Sequence, residues 1–176
     1  MSKNKKVLKI VVGGDWGVGK TSLIRQFINK EPKHLMTIGT DFSVKNIEIE
    51  GQFYGKVQLW EIAGQEQFAP LRPIYHKGAS GALLIFDLTR KNTLANIKTW
   101  MNEIITNAGN IPITLVGNKS DLGEAREVSS EEGKNLSKEL NIPYIETSAL
   151  TGENVTKAVE LSMIRRDEFK VSQEEF

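Results

Sequence analysis

The run Gly13-Gly14-Asp15-Trp16-Gly17-Val18-Gly19-Lys20-Thr21-Ser22 constrains what this chain can fold into more than any other stretch. It meets the pattern G-x-x-x-x-G-K-[ST] through Gly14, Gly19, Lys20 and Thr21, and it follows the apolar run Val7 to Val12, which has the look of a buried strand. Glycines let backbone N–H groups turn inward around phosphate oxygens, and a following helix adds the positive end of its dipole. Lys20 then reaches the β- and γ-phosphates. Thr21 offers a hydroxyl to Mg²⁺, an ion whose octahedral oxygen ligands are shared between protein, water and phosphate. On this stretch alone, a plain turn joining strand to helix stays open as the alternative. Trp16, a bulky ring among glycines, is unexpected there.

At 176 residues the chain has the length of one domain and is large enough to bury a core without staples. Residues 1–176 are expected to form that single domain, with frayed ends at about 1–6 and 168–176. Lys plus Arg number 23 against 22 acidic residues, and the net charge of +1 gives no general pull toward nucleic acid or anionic membrane. The absence of cysteine removes disulfides, zinc–thiolate sites and thiol catalysis, and with them prenylation and palmitoylation of the chain as given. No apolar run reaches membrane-spanning length, and Met1-Ser2-Lys3 opens neither a signal region nor a myristoylation site, so the expected location is the cytoplasm.

Apolar spacing predicts a helix from Thr21 to Asn29, limited by Pro32, then a loop over residues 31–39 that crosses back over the cradle. Phe42, Val44, Ile47 and Ile49 alternate with charged residues, and Gly51-Gln52 turns into the run Val57 to Ile62, an antiparallel hairpin. The loop Ala63 to Phe68 leads into an irregular or short helix ended by Gly78 and Gly81. Ala82 to Phe86, Ile113 to Gly117 and Tyr144 to Glu146 read as further strands. Between them, a helix capped by Asn92 or Thr93 carries Leu94, Ile97, Met101, Ile104 and Ile105 on one stripe, with Trp100 at its edge, and stops at Gly109. Ser129 and Glu132 form a capping box, and Asn154 opens a last helix toward Arg166. Strands alternating with helices around such a loop predict an α/β fold of the P-loop NTPase kind. The expectation is a three-layer sandwich whose mostly parallel six-stranded sheet has one antiparallel edge strand and about five helices. Ligands of such sheets bind at the carboxyl ends of the strands.

Taken together, G-D-W-G-V-G-K-T, T-I-G-T-D-F, W-E-I-A-G-Q-E, N-K-S-D and E-T-S-A resemble the ordered motifs of the Ras-superfamily small GTPases, and are most similar to the Rab branch. The resemblance covers nearly the whole chain. It implies a molecular switch that binds GTP and GDP with Mg²⁺ and hydrolyses GTP slowly. It also implies a monomer that signals to effector proteins, possessing exchange factors and GTPase-activating proteins as regulators. By this resemblance Asp15, Trp16, Gly17, Val18, Gly19, Lys20, Thr21 and Ser22 wrap the phosphates, Thr21 and Thr37 hold Mg²⁺, and the Gly64 N–H meets the γ-phosphate. Gln65 orients the attacking water, with Lys20 and Thr37 completing the catalytic set. Asn118, Lys119, Asp121, Ser148, Ala149 and Leu150 surround the base. In the family, Asn118 bonds one edge of guanine, the Lys119 stem lies along the ring, and the Ala149 N–H meets the exocyclic oxygen. The carboxylate of Asp121 accepts from both N1–H and the 2-amino group of guanine, a donor pair adenine lacks. An Asx-type turn is the alternative for Asn118 to Asp121. Because Thr37 and Gly64 touch only the γ-phosphate side, hydrolysis would release both loops and flip a two-state switch.

Several positions depart from the family. Glu61 stands where an aspartate is usual, one methylene longer toward the Mg²⁺ shell. The spacing from Lys20 to Thr37 is two residues short, and no aromatic follows Phe27 to stack beside the base. His34 replaces a tyrosine and reads as a solvated loop residue. Leu150 replaces a lysine, and no lipidated cysteine tail is present, so membrane association needs a missing tail or a partner. Two other functions stay open: a GTP-binding scaffold whose hydrolysis is impaired by Trp16 and Glu61, and a P-loop ATPase or small-molecule kinase that binds adenine. Trp16 either lies over the loop around His34 and Leu35 as a lid or rests against the surface near the second glycine-bearing loop.

Overall fold

The computed structural model describes residues 6–29, 39–49 and 53–163. Six strands among them form one sheet: β1 (Lys6–Gly13), β2 (Thr40–Ile49), β3 (Phe53–Ile62), β4 (Gly81–Asp87), β5 (Ile113–Asn118) and β6 (Tyr144–Thr147). Their order is β2-β3-β1-β4-β5-β6. Only the edge strand β2 is antiparallel to its neighbour, with Thr40 opposite Ile62 at one end and Ile49 opposite Phe53 at the other; the remaining pairs are parallel. The helices are α1 (Lys20–Ile28), α2 (Arg72–His76), α3 (Lys91–Ala95), α4 (Ile97–Ala108), α5 (Ser130–Leu140) and α6 (Val155–Leu161). This is the expected P-loop α/β sandwich.

Alternation along the central strands divides the core into two layers. Ile10 and Val12 of β1, with Leu83 and Ile85 of β4, pack against Leu23 and Phe27 of α1 and Val155 and Val159 of α6. Val11, Leu84 and Phe86 point the other way, onto Ile97, Trp100 and Ile104 of α4, with Leu136 and Leu140 of α5 beside them. Every residue of β4 and β5 is buried, as both-face coverage of a parallel sheet requires. Each buried Leu, Ile, Val or Phe among them contributes roughly 1.5–3 kcal/mol of transfer free energy, so the middle strands form a stiff floor beneath the loops at their ends. No helix among the described residues is long and apolar enough to cross a membrane.

Three local expectations change. The single helix predicted after β4 is two pieces, α3 and α4, broken at Asn96, and neither Asn92 nor Thr93 caps it: Arg90 is the N-cap residue of α3. The Thr93 hydroxyl instead accepts from the Asp87 N–H (2.9 Å) and donates to the Arg90 carbonyl (2.7 Å), so it ties the helix back to the strand end. Asn154 does precede α6, at a left-handed φ of 57°, but its side chain donates to the Glu146 carbonyl rather than capping the helix. In β2 the apolar alternation changes phase. Ile47 packs on the first core layer, whereas Phe42 and Val44 are exposed and Phe42 stacks on Trp60 with ring centroids 5.2 Å apart. The Ser129–Glu132 capping box forms as expected, each backbone N–H bonded by the other's side chain.

Candidate functional site

Loops leaving the carboxyl ends of β1, β3, β4, β5 and β6 meet at one edge of the sheet. The first turns at Gly14, whose φ of 142° suits glycine and where a Cβ would stand 2.1 Å from the Ile85 carbonyl oxygen. It ends at Gly19, at φ 100°, where a Cβ would stand 2.3 Å from Nδ2 of Asn118. The next residue starts α1. Lys20 is buried, and its Nζ donates to the carbonyls of Gly14 (2.7 Å) and Asp15 (2.8 Å), curling the loop around the ammonium. Burial pulls its pKa down to about 8, with Glu61 and Asp15 opposing the shift. Thr21 Oγ1 donates to Oε1 of the buried Glu61 at 2.6 Å.

The carboxylate of Asp15 faces away from the cradle, onto the second layer: Oδ1 accepts from Trp100 Nε1 (2.8 Å) and Oδ2 from Asn96 Nδ2 (2.7 Å). Trp16 is 61% exposed. Residues 34 and 35, over which it could fold as a lid, fall outside the described residues. The main chain of Trp16 is closely held. A Cβ on Gly64 would stand 2.4 Å from the Trp16 nitrogen and 2.7 Å from the Gly14 carbonyl oxygen, so the two glycine-bearing loops touch backbone to backbone.

Beyond Gly64, Gln65 is half-buried, and its Nε2 is shielded from solvent without a hydrogen bond among the described residues. The loop that carries it is pinned from below. Arg72 Nε donates to the Ala63 carbonyl, and its Nη2 donates to those of Gly64 and Gln65, all at 3.0 Å, while the guanidinium lies 4.2 Å over the Trp100 ring.

At the other end of the site, Asn118 Nδ2 donates to the Val18 carbonyl (3.0 Å), and Oδ1 accepts from Thr147 Oγ1 (3.0 Å) and the Ala149 N–H (3.2 Å). This one amide joins three loops. Asp121 Oδ1 accepts from Ser148 Oγ at 2.7 Å, leaving Oδ2 as the second acceptor of the carboxylate. Lys119 Nζ donates to the Gly17 carbonyl at 3.0 Å. Residues 9–166 match the protein-family model described as the Ras family. The chain belongs to the Ras family. Membership makes it a small GTPase of the nucleotide-binding switch class.

In this Ras-family domain the sequence-identified positions 15–22, 61, 64–65, 118, 119, 121, 148 and 149 converge at one edge. Leu150 follows them but is mostly exposed, and Ser22 is half-buried just inside α1. Thr37 lies outside the described residues. Sequence reasoning missed Arg72, Asn96, Thr147, Asp87 and Arg90, and it placed Trp100 only as packing. A charged or polar residue closing a wholly apolar strand run, as Asp87 does, was the available signal.

Proposed function

We propose that this Ras-family protein binds GTP and GDP with Mg²⁺, hydrolyses GTP to GDP at a low intrinsic rate, and passes its nucleotide state to effector proteins in the manner of the Rab branch. The observation that carries hydrolysis is Gln65: a solvent-shielded amide nitrogen without a partner among the described residues, on a loop whose Gly64 touches the phosphate loop. A buried donor left unpaired costs about 1–3 kcal/mol, so its place next to Gly64, which meets the phosphate-loop backbone, favours a ligand-side partner, here the attacking water. Phosphoryl transfer asks mainly for positioning and charge neutralisation. Lys20 supplies charge to the phosphates, and the Gly64 N–H meets the γ-phosphate.

The residues fit Mg²⁺ as well. Among the described residues no cluster of three His, Cys, Asp or Glu side chains is assembled, which suits an ion that takes most ligands from water and phosphate. Thr21 would hold it, with Thr37, and Glu61 would orient the Thr21 hydroxyl and a bound water. Bound there, Mg²⁺ supplies charge neutralisation of the β- and γ-oxygens. Asp121 reads the guanine edge, supported by Ser148, while Asn118, Lys119, Ala149 and Leu150 complete the base site. We read residues 1–176 as one domain, monomeric and cytoplasmic, regulated by exchange and activating proteins.

Single-turnover GTP hydrolysis with Mg²⁺ tests this, compared with Gln65→Leu: the variant is expected to lose measurable turnover while still binding nucleotide. Equal rates reject the hydrolytic role. Nucleotide released from the denatured protein should be GDP or GTP; ATP or ADP alone would reject the base assignment. One observation favours a hydrolysis-impaired scaffold as second reading. The exposed Trp16 indole sits where its backbone meets Gly64, across the approach of any activating partner's arginine. No wild-type turnover, with tight GTP binding, would select it.

A further inference from the structure

Asp87, the last residue of β4, is completely buried, and four donors converge on it. Oδ1 accepts from the Thr89 N–H (2.8 Å) and hydroxyl (2.6 Å), and Oδ2 accepts from Lys119 Nζ (2.7 Å) and Arg90 Nε (3.1 Å). Burial pushes its carboxyl pKa up, but the hydrogen bonds from Lys119 and Thr89 outweigh that and hold it below the usual value. Both cations then continue to the phosphate loop. Arg90 Nη2 donates to the Trp16 carbonyl at 2.7 Å, and Lys119 Nζ to the Gly17 carbonyl at 3.0 Å.

Those two carbonyls belong to consecutive peptide units. In a trans peptide the C=O and the N–H point in opposite directions. Fixing the Trp16 and Gly17 oxygens on the outside therefore aims the Gly17 and Val18 N–H groups at the opposite side of the chain, into the cradle. Lys119 also has a left-handed φ of 73°, a conformation that costs a residue with a Cβ some strain, and its two side-chain contacts hold it there.

We propose that Asp87 is a positioning residue for nucleotide retention: it fixes Arg90 and Lys119 against consecutive phosphate-loop carbonyls, so that phosphate loop and base loop grip the nucleotide as one unit. The proposal rests on the guanine-nucleotide reading of the site. Without Asp87 the two cations lose their common anchor, the carbonyls swing, and the bound nucleotide sees fewer aligned donors.

Release of a fluorescent GDP analogue into excess GDP with Mg²⁺ present tests it. Loss of a charge-assisted hydrogen bond predicts about tenfold faster release from Asp87→Asn. Arg90→Met, which alters a partly exposed side chain and so spares the fold, should show a smaller acceleration. In the Lys119→Ala/Arg90→Met background, adding Asp87→Asn should change nothing further, whereas a purely structural role would still speed release. Wild-type release from the folded Arg90→Met variant, or an additional acceleration in the triple variant, overturns the proposal. Wild-type protein that holds no guanine nucleotide at all would overturn the underlying reading instead, and this one with it.

Discussion

The Thr21 hydroxyl donates a 2.6 Å hydrogen bond to Oε1 of Glu61, joining the first turn of α1 to the end of β3 across 40 positions of sequence. The additional methylene of glutamate therefore does not keep the carboxylate from the threonine. It lets the oxygen reach the hydroxyl from a buried strand position.

From that pair follows a metal dependence. Outer-shell partners of metal ligands typically govern affinity by 10–100-fold. In Glu61→Ala, the Mg²⁺ concentration that half-protects bound GDP from release is expected to rise by roughly that factor. Glu61→Gln keeps an acceptor for Thr21 and should fall between. The measurement is GDP release against Mg²⁺ concentration, and an unchanged midpoint in Glu61→Ala would remove Glu61 from the metal site.

Arg72 gives the second prediction. Its guanidinium spans three successive carbonyls, a geometry that the single point charge of lysine cannot reproduce. Arg72→Lys should leave the Gly64–Gln65 loop loosely placed and slow single-turnover hydrolysis by about 10–100-fold, since small misplacement near a reacting centre has that effect. GDP affinity, set by the phosphate and base loops, should stay near wild type. A parallel loss of affinity and rate would mean that Arg72 supports the whole fold instead.

The contrast between Arg72 and Ser129 shows what could be read in advance. Ser129 and Glu132 satisfy each other within one helical turn, so their box was legible from spacing alone. The buried runs Ala82 to Phe86 and Ile113 to Gly117 likewise declared a parallel sheet, because an uninterrupted apolar strand needs cover on both faces. Arg72 in sequence is merely a cation before a proline. Its burial depends on the Trp100 face and on Glu103, whose Oε2 lies 3.6 Å from its Nη1, both supplied by another helix. Asp87 is similar: its role arises only when β5 brings Lys119 beside it. The exposure of Phe42 was not legible for a different reason, since alternation gives a face but does not say whether a helix covers it.

Lys20 makes the site sensitive to pH. Its folded pKa of about 8 lies below the ordinary 10.5, with burial as the main cause. Below pH 8 both folded and unfolded chains carry the charge, and the full cost of burying it is present. Between about 8 and 10.5 the unfolded chain binds the proton that the folded chain has released, so stability of the nucleotide-free protein contributed by this group rises with pH. Nucleotide phosphates favour the charged form, so binding takes up a proton in the same window and GDP affinity falls as pH climbs through it. Calorimetric titrations at about pH 9, in two buffers of different ionisation enthalpy, should give different heats for wild type and equal heats for Lys20→Met. Equal heats for wild type would contradict the lowered pKa.

The contact between Gly64 and the phosphate loop separates backbone from side chain. An added Cβ at 64 would meet the Trp16 nitrogen, the Asp15 carbonyl carbon and the Gly14 oxygen, at 2.4, 2.6 and 2.7 Å. These are main-chain atoms fixed by Lys20 and by Arg90, so they cannot turn aside as a flexible side chain would. Gly64→Ala must push the two loops apart, and hydrolysis should fall by about 100-fold or more, because the γ-phosphate contact and Gln65 move together. Trp16, by contrast, is a 61% exposed residue, and Trp16→Ser should shift folding free energy by no more than about 0.5 kcal/mol, as for an ordinary surface substitution. Chemical denaturation and single-turnover hydrolysis on both variants check the pair. A Gly64→Ala variant that hydrolyses GTP like wild type would mean the loops separate without consequence for catalysis, and a strongly destabilised Trp16→Ser would mean the indole is packing after all.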